Sequence, residues 1–286
     1  MVLGMRTKCS LMIIVLAFSS LLAGAHVPGD LNEDNVISQD ELLKNEDLKR
    51  QGTITEEQID EIDNIYKKYP KTFIDNSGRP IMIYKPIRAI VLLNADCAEV
   101  LRCLGVANIS GVDSYIAKDS IFFPEFSNLA EVGSSFHPDC EVILSLDPDI
   151  VIAYTGVKEA DLDDKIKAAG IPVARFSACK IPTRDEQIRM IGYIFDKEKR
   201  AEELIAFYHN ITNPINNTLG DLPVDEMPRV YIECYSDFKA RNSRSGTHSM
   251  CEMAGGINIA EDLDSLGQGT TSQVDPEWIV EQNPDI

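Results

Sequence analysis

Ten residues from the middle of the chain return at its end. Glu141-Val-Ile-Leu-Ser-Leu-Asp-Pro-Asp-Ile150 and Glu277-Trp-Ile-Val-Glu-Gln-Asn-Pro-Asp-Ile286 lie 136 residues apart and agree at five of ten positions. Such a repeat predicts two lobes built alike. In the first copy Ile150 opens a β-branched run, Val151-Ile152-Ala153. The second copy stops at Ile286, so the second lobe is expected to lack its last strands and helices.

From about residue 72 onward, short apolar runs alternate with helical stretches. Residues 87–93, 109–112, 150–153 and 173–176 read as buried strands, and residues 98–104, 141–146 and 161–169 as the helices between them. This order predicts an α/β fold with parallel sheets covered by helices: two Rossmann-like lobes, over residues 71–182 and 228–286. Residues 183–227 join them. Thr183 with Glu186 three residues on has the form of a capping box. Apolar residues then recur at helical spacing from Ile188 to Tyr208. They predict either one long spine or two helices broken near Asp196.

The first 25 residues read as an export signal. Arg6 and Lys8 precede an apolar run over residues 11–22, and Ala23-Gly24-Ala25 offers small residues for cleavage. The run falls short of the ~20 residues of a confident membrane span, although an uncleaved anchor fits the same pattern. No cysteine stands directly after it to carry a lipid. Beyond Cys9 the six cysteines are scattered, and buried thiols are expected for most. With 46 acidic and 27 basic residues the net charge is −19, which repels nucleic acid.

Residues 26–70 differ from the rest in being acidic and free of cysteine. Asp30, Asn32, Asp34, Val36, Ser38 and Glu41 occupy the first, third, fifth, seventh, ninth and twelfth positions of an EF-hand-type loop. The segment resembles EF-hand and dockerin modules, and Ca²⁺ is the expected ligand. Asn35 stands at the sixth position, where glycine is usual; asparagine tolerates the left-handed backbone next best. A second copy over residues 47–58 has Lys49 and Gln51 where acids would be needed, so it is not expected to hold metal.

From Asp75 onward, the order of motifs resembles that of the binding proteins that carry iron–siderophore, haem and cobalamin to ABC importers. The residues concerned are Asp75-Asn-Ser-Gly-Arg-Pro, Glu99 to Leu104-Gly105, Pro124-Glu125, Val132-Gly133, the Glu141 segment, Ala254-Gly-Gly-Ile-Asn258 and Pro276-Glu-Trp278. The resemblance implies a solute site between two lobes joined by a long helix, little hinge motion, and a monomer outside the cytoplasmic membrane. It also implies that Glu141 and Glu277 dock into a membrane permease. Ligands of such sheets bind beyond the carboxyl ends of the strands. Asn94, Gly133, Ser134, Phe136, Tyr154 and Thr155 are therefore the candidates from the first lobe. Tyr235, Phe238, Arg241 and Arg244 are those from the second. Aromatic rings pack on flat macrocycles, and arginines pair with carboxylates.

Two other functions compete. One is direct metal binding through His137 and His248; the other is a Ca²⁺-dependent surface adhesion module. The sequence contains no GxGxxG, P-loop, GxSxG or HExxH pattern, and no catalytic set is predicted.

Overall fold

The computed structural model describes residues 26–286, apart from 156–159, 179–180, 182, 221 and 264–268; the export signal and Cys179 lie outside the described residues. The chain enters through the acidic loop into α1 (Gln39–Arg50) and α2 (Glu56–Lys68). Ser38 with Glu41 and Thr55 with Gln58 close a capping box at each helix start. On α2, Ile59, Ile62 and Ile65 form one buried stripe. That stripe joins the same apolar cluster as the first lobe, so the acidic segment is packed onto it.

β1 (Lys71–Ile74) and β2 (Pro80–Ile83) form an antiparallel hairpin. Asp75 makes its turn: Oδ1 accepts the Ser77 and Arg79 backbone N–H groups at 2.9 and 3.0 Å. Gly78, at φ 78°, supplies the left-handed residue. The first lobe then runs β3 (Ile90–Leu93), α3 (Ala95–Leu104), β4 (Ile109–Val112), α4 (Ser114–Lys118), β5 (Ala130–Glu131), α5 (Cys140–Ser145), β6 (Ile150–Tyr154), α6 (Ala160–Ala168) and β7 (Val173–Phe176).

These five strands form one parallel sheet in the order β5-β4-β3-β6-β7. Its central strands are buried on both faces, as parallel sheets require. Alternate residues divide between two cores. Ile90, Leu92, Ile150, Ile152 and Phe176 face one, while Val91, Leu93, Val151, Ala153 and Val173 face the other.

The connection is two helices, α7 (Arg184–Ile194) and α8 (Glu198–Leu219). They break where Asp196 takes φ 54°, which ends α-helical geometry. Thr183 is the residue before α7 but does not complete the capping box. Its ψ is near 0°, and its hydroxyl accepts the Gln187 side-chain amide instead.

The second lobe holds β8 (Arg229–Val230), β9 (Lys239–Arg241), α9 (Gly246–Met253), β10 (Ile257–Asn258), β11 (Thr271–Gln273) and α10 (Pro276–Gln282). β8 and β10 pair in parallel, as β3 and β4 do, and β9 and β11 pair antiparallel. The sequence repeat is also a repeat of hydrogen bonds. Asp149 N–H donates to Ala89 O at 2.9 Å, and its Oδ2 accepts the Ala89 N–H at 3.0 Å. Asp285 N–H donates to Arg229 O at 2.7 Å, and its Oδ2 accepts the Arg229 N–H at 2.8 Å.

The five described cysteines are thiols. Cys97 and Cys140 are buried, but Cys103 is exposed and Cys234 and Cys251 are half-buried, so burial extends to fewer than expected. No helix among the described residues is long and apolar enough to cross a membrane.

α7 and α8 touch at Gly192, where a Cβ would lie 2.6 Å from Ala201 Cβ. Alanine is favoured over glycine inside a helix by about 1 kcal/mol. Here overpacking outweighs that gain, at a cost of about 1–3 kcal/mol. Gly192→Ala is expected to lower the urea midpoint; an unchanged or raised midpoint would contradict this close crossing.

Candidate functional site

The carboxyl ends of the parallel strands deliver five successive turns to one edge of the first lobe. Within the sheet the order reverses between β3 and β6, and a crevice is expected at that point. The chain fills it with its own side chains. Asn94 is fully buried; its amide donates to Ala153 O at 3.3 Å and Phe176 O at 3.0 Å. Its Oδ1 accepts the Cys97 N–H at 3.0 Å, capping α3. The Tyr154 hydroxyl accepts the Ala95 N–H at 3.1 Å. Burial, and then the nearby Asp96 carboxylate, push that hydroxyl's pKa up, so it stays neutral. Thr155 is hydrogen-bonded to Ser177 beside it.

Asn94 therefore lies in the wall of this edge, with no exposed surface, and Tyr154 and Thr155 are half-buried in it. What the edge offers outward comes from the next turns. Gly133 and Pro138 bridge a tight loop, with Gly133 at φ 82°. A Cβ there would meet His137 O at 2.7 Å, which is why the position takes glycine. Ser134 Oγ accepts the His137 N–H at 3.0 Å, and buried Ser135 is hydrogen-bonded to buried Asp113. The loop so fixed carries Phe136 at its tip, 57 % exposed.

The second-lobe candidates gather on the segment from Tyr231 to Ser245. Tyr235 is 83 % exposed, with Lys239 Nζ 4.9 Å from its ring centroid. Phe238 holds φ 59°, strained for a bulky residue, while its N–H donates to Glu233 Oε1 at 2.8 Å. Arg241 sits on β9, its guanidinium 3.3 Å from Thr270 Oγ1; Arg244 is exposed, just beyond. The two candidate sets thus stand on separate lobes, each on its own turn structure.

Sequence reasoning passed over Tyr115, which is 62 % exposed at the carboxyl end of β4. The signal was present in Asp113-Ser-Tyr following an apolar strand, since Asp113 caps α4 through the Tyr115 and Ile116 N–H groups.

Glu141 and Glu277 are matched in structure as in sequence. Each is exposed in the first turn of a helix. Each donates its backbone N–H to the capping aspartate, Asp139 at 3.0 Å and Asp275 at 2.8 Å.

At the far end of the lobe, the acidic loop winds around Asp30. Its Oδ1 accepts the Glu33 N–H at 2.8 Å and its Oδ2 the Asn35 N–H at 2.7 Å. Asn35 takes φ 68°, the left-handed conformation its position demands. Glu41 is buried, and its carboxylate accepts the Ser38 N–H and hydroxyl and the Leu31 and Asn32 N–H groups. The Ser38 hydrogen bonds, followed by those of Leu31 and Asn32, hold its pKa at about 2 against the opposing effect of burial.

The model of the periplasmic binding protein family matches residues 90–286. The chain belongs to that family. Among its relatives is the uncharacterized ABC transporter substrate-binding lipoprotein YvrC of Bacillus subtilis strain 168. It is 27 % identical over 222 residues, 76 % of this chain and 68 % of that one. The iron-uptake system-binding protein of the same strain is 30 % identical over 118 residues, 40 % of this chain and 36 % of that one. Among solved structures, the Haemophilus influenzae molybdate-binding protein MolA aligns with TM-score 0.63 at 23 % identity, covering 76 % of this chain and 72 % of its own. The periplasmic heme-binding protein RhuT of Roseiflexus sp. RS-1 aligns with TM-score 0.57 at 25 % identity, covering 69 % and 74 %. At that level the chain is a substrate-binding protein of an ABC transporter.

Removing the Asn94 side chain from this periplasmic binding protein leaves two strand-end carbonyls and one helix N–H without it. Asn94→Ala is expected to cost about 2–4 kcal/mol of unfolding free energy. A loss below about 1 kcal/mol would mean that water replaces all three bonds.

Proposed function

We propose that the chain is the extracytoplasmic subunit of an ABC importer that captures an iron chelate, either a siderophore complex or haem, or cobalamin. It delivers that solute to a membrane permease. The observation that best supports this reading is the matched pair Glu141 and Glu277, two exposed acids in equivalent capped turns of the two lobes. Phe136, Tyr235 and Phe238 are exposed rings suited to a flat macrocycle or catecholate, and Arg241 and Arg244 are cations suited to its carboxylates. Asn94, Gly133, Ser134, Tyr154 and Thr155 would act by holding the wall and turn beneath them.

Visible absorption titrations with haem, a ferric catecholate and cyanocobalamin, with molybdate as a comparison, test the capture step. One of the three chelates is expected to bind. Phe136→Ala with Tyr235→Ala should weaken it tenfold or more, about 1.4 kcal/mol, without lowering thermal stability. Binding of molybdate alone, or of none, would refute the assignment. Glu141→Arg with Glu277→Arg should abolish uptake and leave solute affinity unchanged; undiminished uptake would remove these residues from docking.

We also propose that residues 30–41 hold Ca²⁺. Asp30, Asn32, Asp34 and Glu41 would supply side-chain oxygens and Val36 its carbonyl, with Ser38 at the ninth position. The left-handed Asn35 and the buried, ionised Glu41 fit that ion. Its role would be to order the loop against α1. Calorimetric titration is expected to show one Ca²⁺ per chain, lost in Asp30→Asn and Glu41→Gln. An absence of heat in the wild-type chain would refute the site.

A further inference from the structure

The second lobe carries a group of metal-ligating side chains that the solute site does not use. His248 and Glu252 lie one turn apart on α9, and so on one face of it. The turn after β10 brings Glu261 to them. One ligand atom from each of the three residues lies within 4.8 Å of the others. Around a single tetrahedral first-row ion, with bonds of about 2.0–2.2 Å, ligand atoms stand about 3.4 Å apart, so the side chains must close by about 1 Å to complete the site.

The local chemistry favours a cation. His248 is 7 % exposed and forms the floor, with Nε2 3.3 Å from Glu252 Oε2. Glu252 is exposed and Glu261 half-buried, which leaves the outer side open to water. Among the described residues, no lysine or arginine pairs with either carboxylate.

We propose that His248, Glu252 and Glu261 bind one divalent first-row ion of the zinc type, with water completing the coordination. Imidazole and carboxylate together select zinc-like ions over Ca²⁺ or Mg²⁺. The ring has to change tautomer on loading. Without metal, His248 Nδ1 faces the Asn258 amide at 3.3 Å, and that amide is oriented by Arg241 O at 2.8 Å and the Ala260 N–H at 3.1 Å. Metal on Nε2 places the ring proton on Nδ1. Two N–H donors then face each other, so loading also requires the His248 ring and the Asn258 amide to separate, in exchange for three metal–ligand bonds. The same network ties the site to the candidate solute residues, because Asn258 holds Arg241 O and the Ser243 N–H donates to Glu261 O at 3.3 Å. An ion here would clamp α9 to the segment that presents Arg241 and Arg244.

Co²⁺ added to the metal-free chain, followed by Zn²⁺ competition, tests the site. The expected result is one equivalent with visible d–d bands, no thiolate charge-transfer band, and displacement by Zn²⁺. His248→Ala should abolish the bands. Glu252→Gln, an exposed change that leaves the fold intact, and Glu261→Gln should each weaken binding tenfold or more. Asp30→Asn, in the calcium loop, should leave the spectrum unchanged. The proposal is overturned by an unchanged spectrum in both Glu252→Gln and His248→Ala, by a thiolate band, or by the absence of any Co²⁺ signal.

Discussion

The aspartate one residue before the end of the repeated segment clasps the strand starts of each lobe. Asp149 accepts the Arg88 and Ala89 N–H groups at 2.7 and 3.0 Å and pairs with Lys85 at 3.1 Å. It thereby seats the start of β6 beside the start of β3, two segments separated by some sixty residues of chain. Everything that follows in the sheet depends on that placement. With β3 and β6 adjacent, the strand order reverses between them, and β4 and β7 extend to opposite sides. Asp285 repeats the clasp on Arg229, which accounts for the same Pro-Asp-Ile segment appearing in both lobes.

The reversal would ordinarily leave a crevice for a nucleotide at the carboxyl ends of the strands. Asn94 and Tyr154 occupy it instead, and they do so with hydrogen bonds that a ligand would otherwise take. The N–H groups at the start of α3 point to Tyr154 and Asn94, not outward to an anion. The rings proposed for recognition, Phe136 and Tyr235, lie instead at loop tips away from the sheet edge. Those rings are exposed because the turns beneath them, at Gly133 and at Glu233, are fixed by backbone hydrogen bonds.

Much of this was legible in the residues. The β-branched runs marked the buried strands because a parallel sheet covered on both faces leaves no polar side. Asn35 announced its left-handed backbone, and the repeat announced two equivalent helix starts. The residues left open whether the connecting helix breaks near Asp196, and a conformation that aspartate adopts only occasionally breaks it there. Other features depended on tertiary contact and carried no local signal. Thr183 matched a capping box, yet its backbone turned the hydroxyl toward Gln187. Asn94 read as a residue open to ligand because it follows a strand, whereas its three partners come from β6, β7 and α3. Glu261 comes near His248 through the turn that follows β10, thirteen residues on in the chain.

The paired glutamates have a simpler explanation than docking: acids in a first turn stabilise the helix dipole. The structure weakens that explanation, since each helix already has an aspartate cap. Asp139 accepts two N–H groups of α5, from Glu141 and Val142, and Asp275 accepts that of Glu277. With the cap charge in place, a second acid beside it adds mutual repulsion and at most a few tenths of a kcal/mol of dipole energy, roughly cancelling. Neither glutamate side chain has a cationic partner among the described residues, although ion pairs such as Arg102–Glu125 and Arg189–Glu202 form elsewhere on the surface. Two exposed acids at equivalent positions on two lobes, each contributing little to its own helix, are what a surface recognised by separate cationic pockets would present.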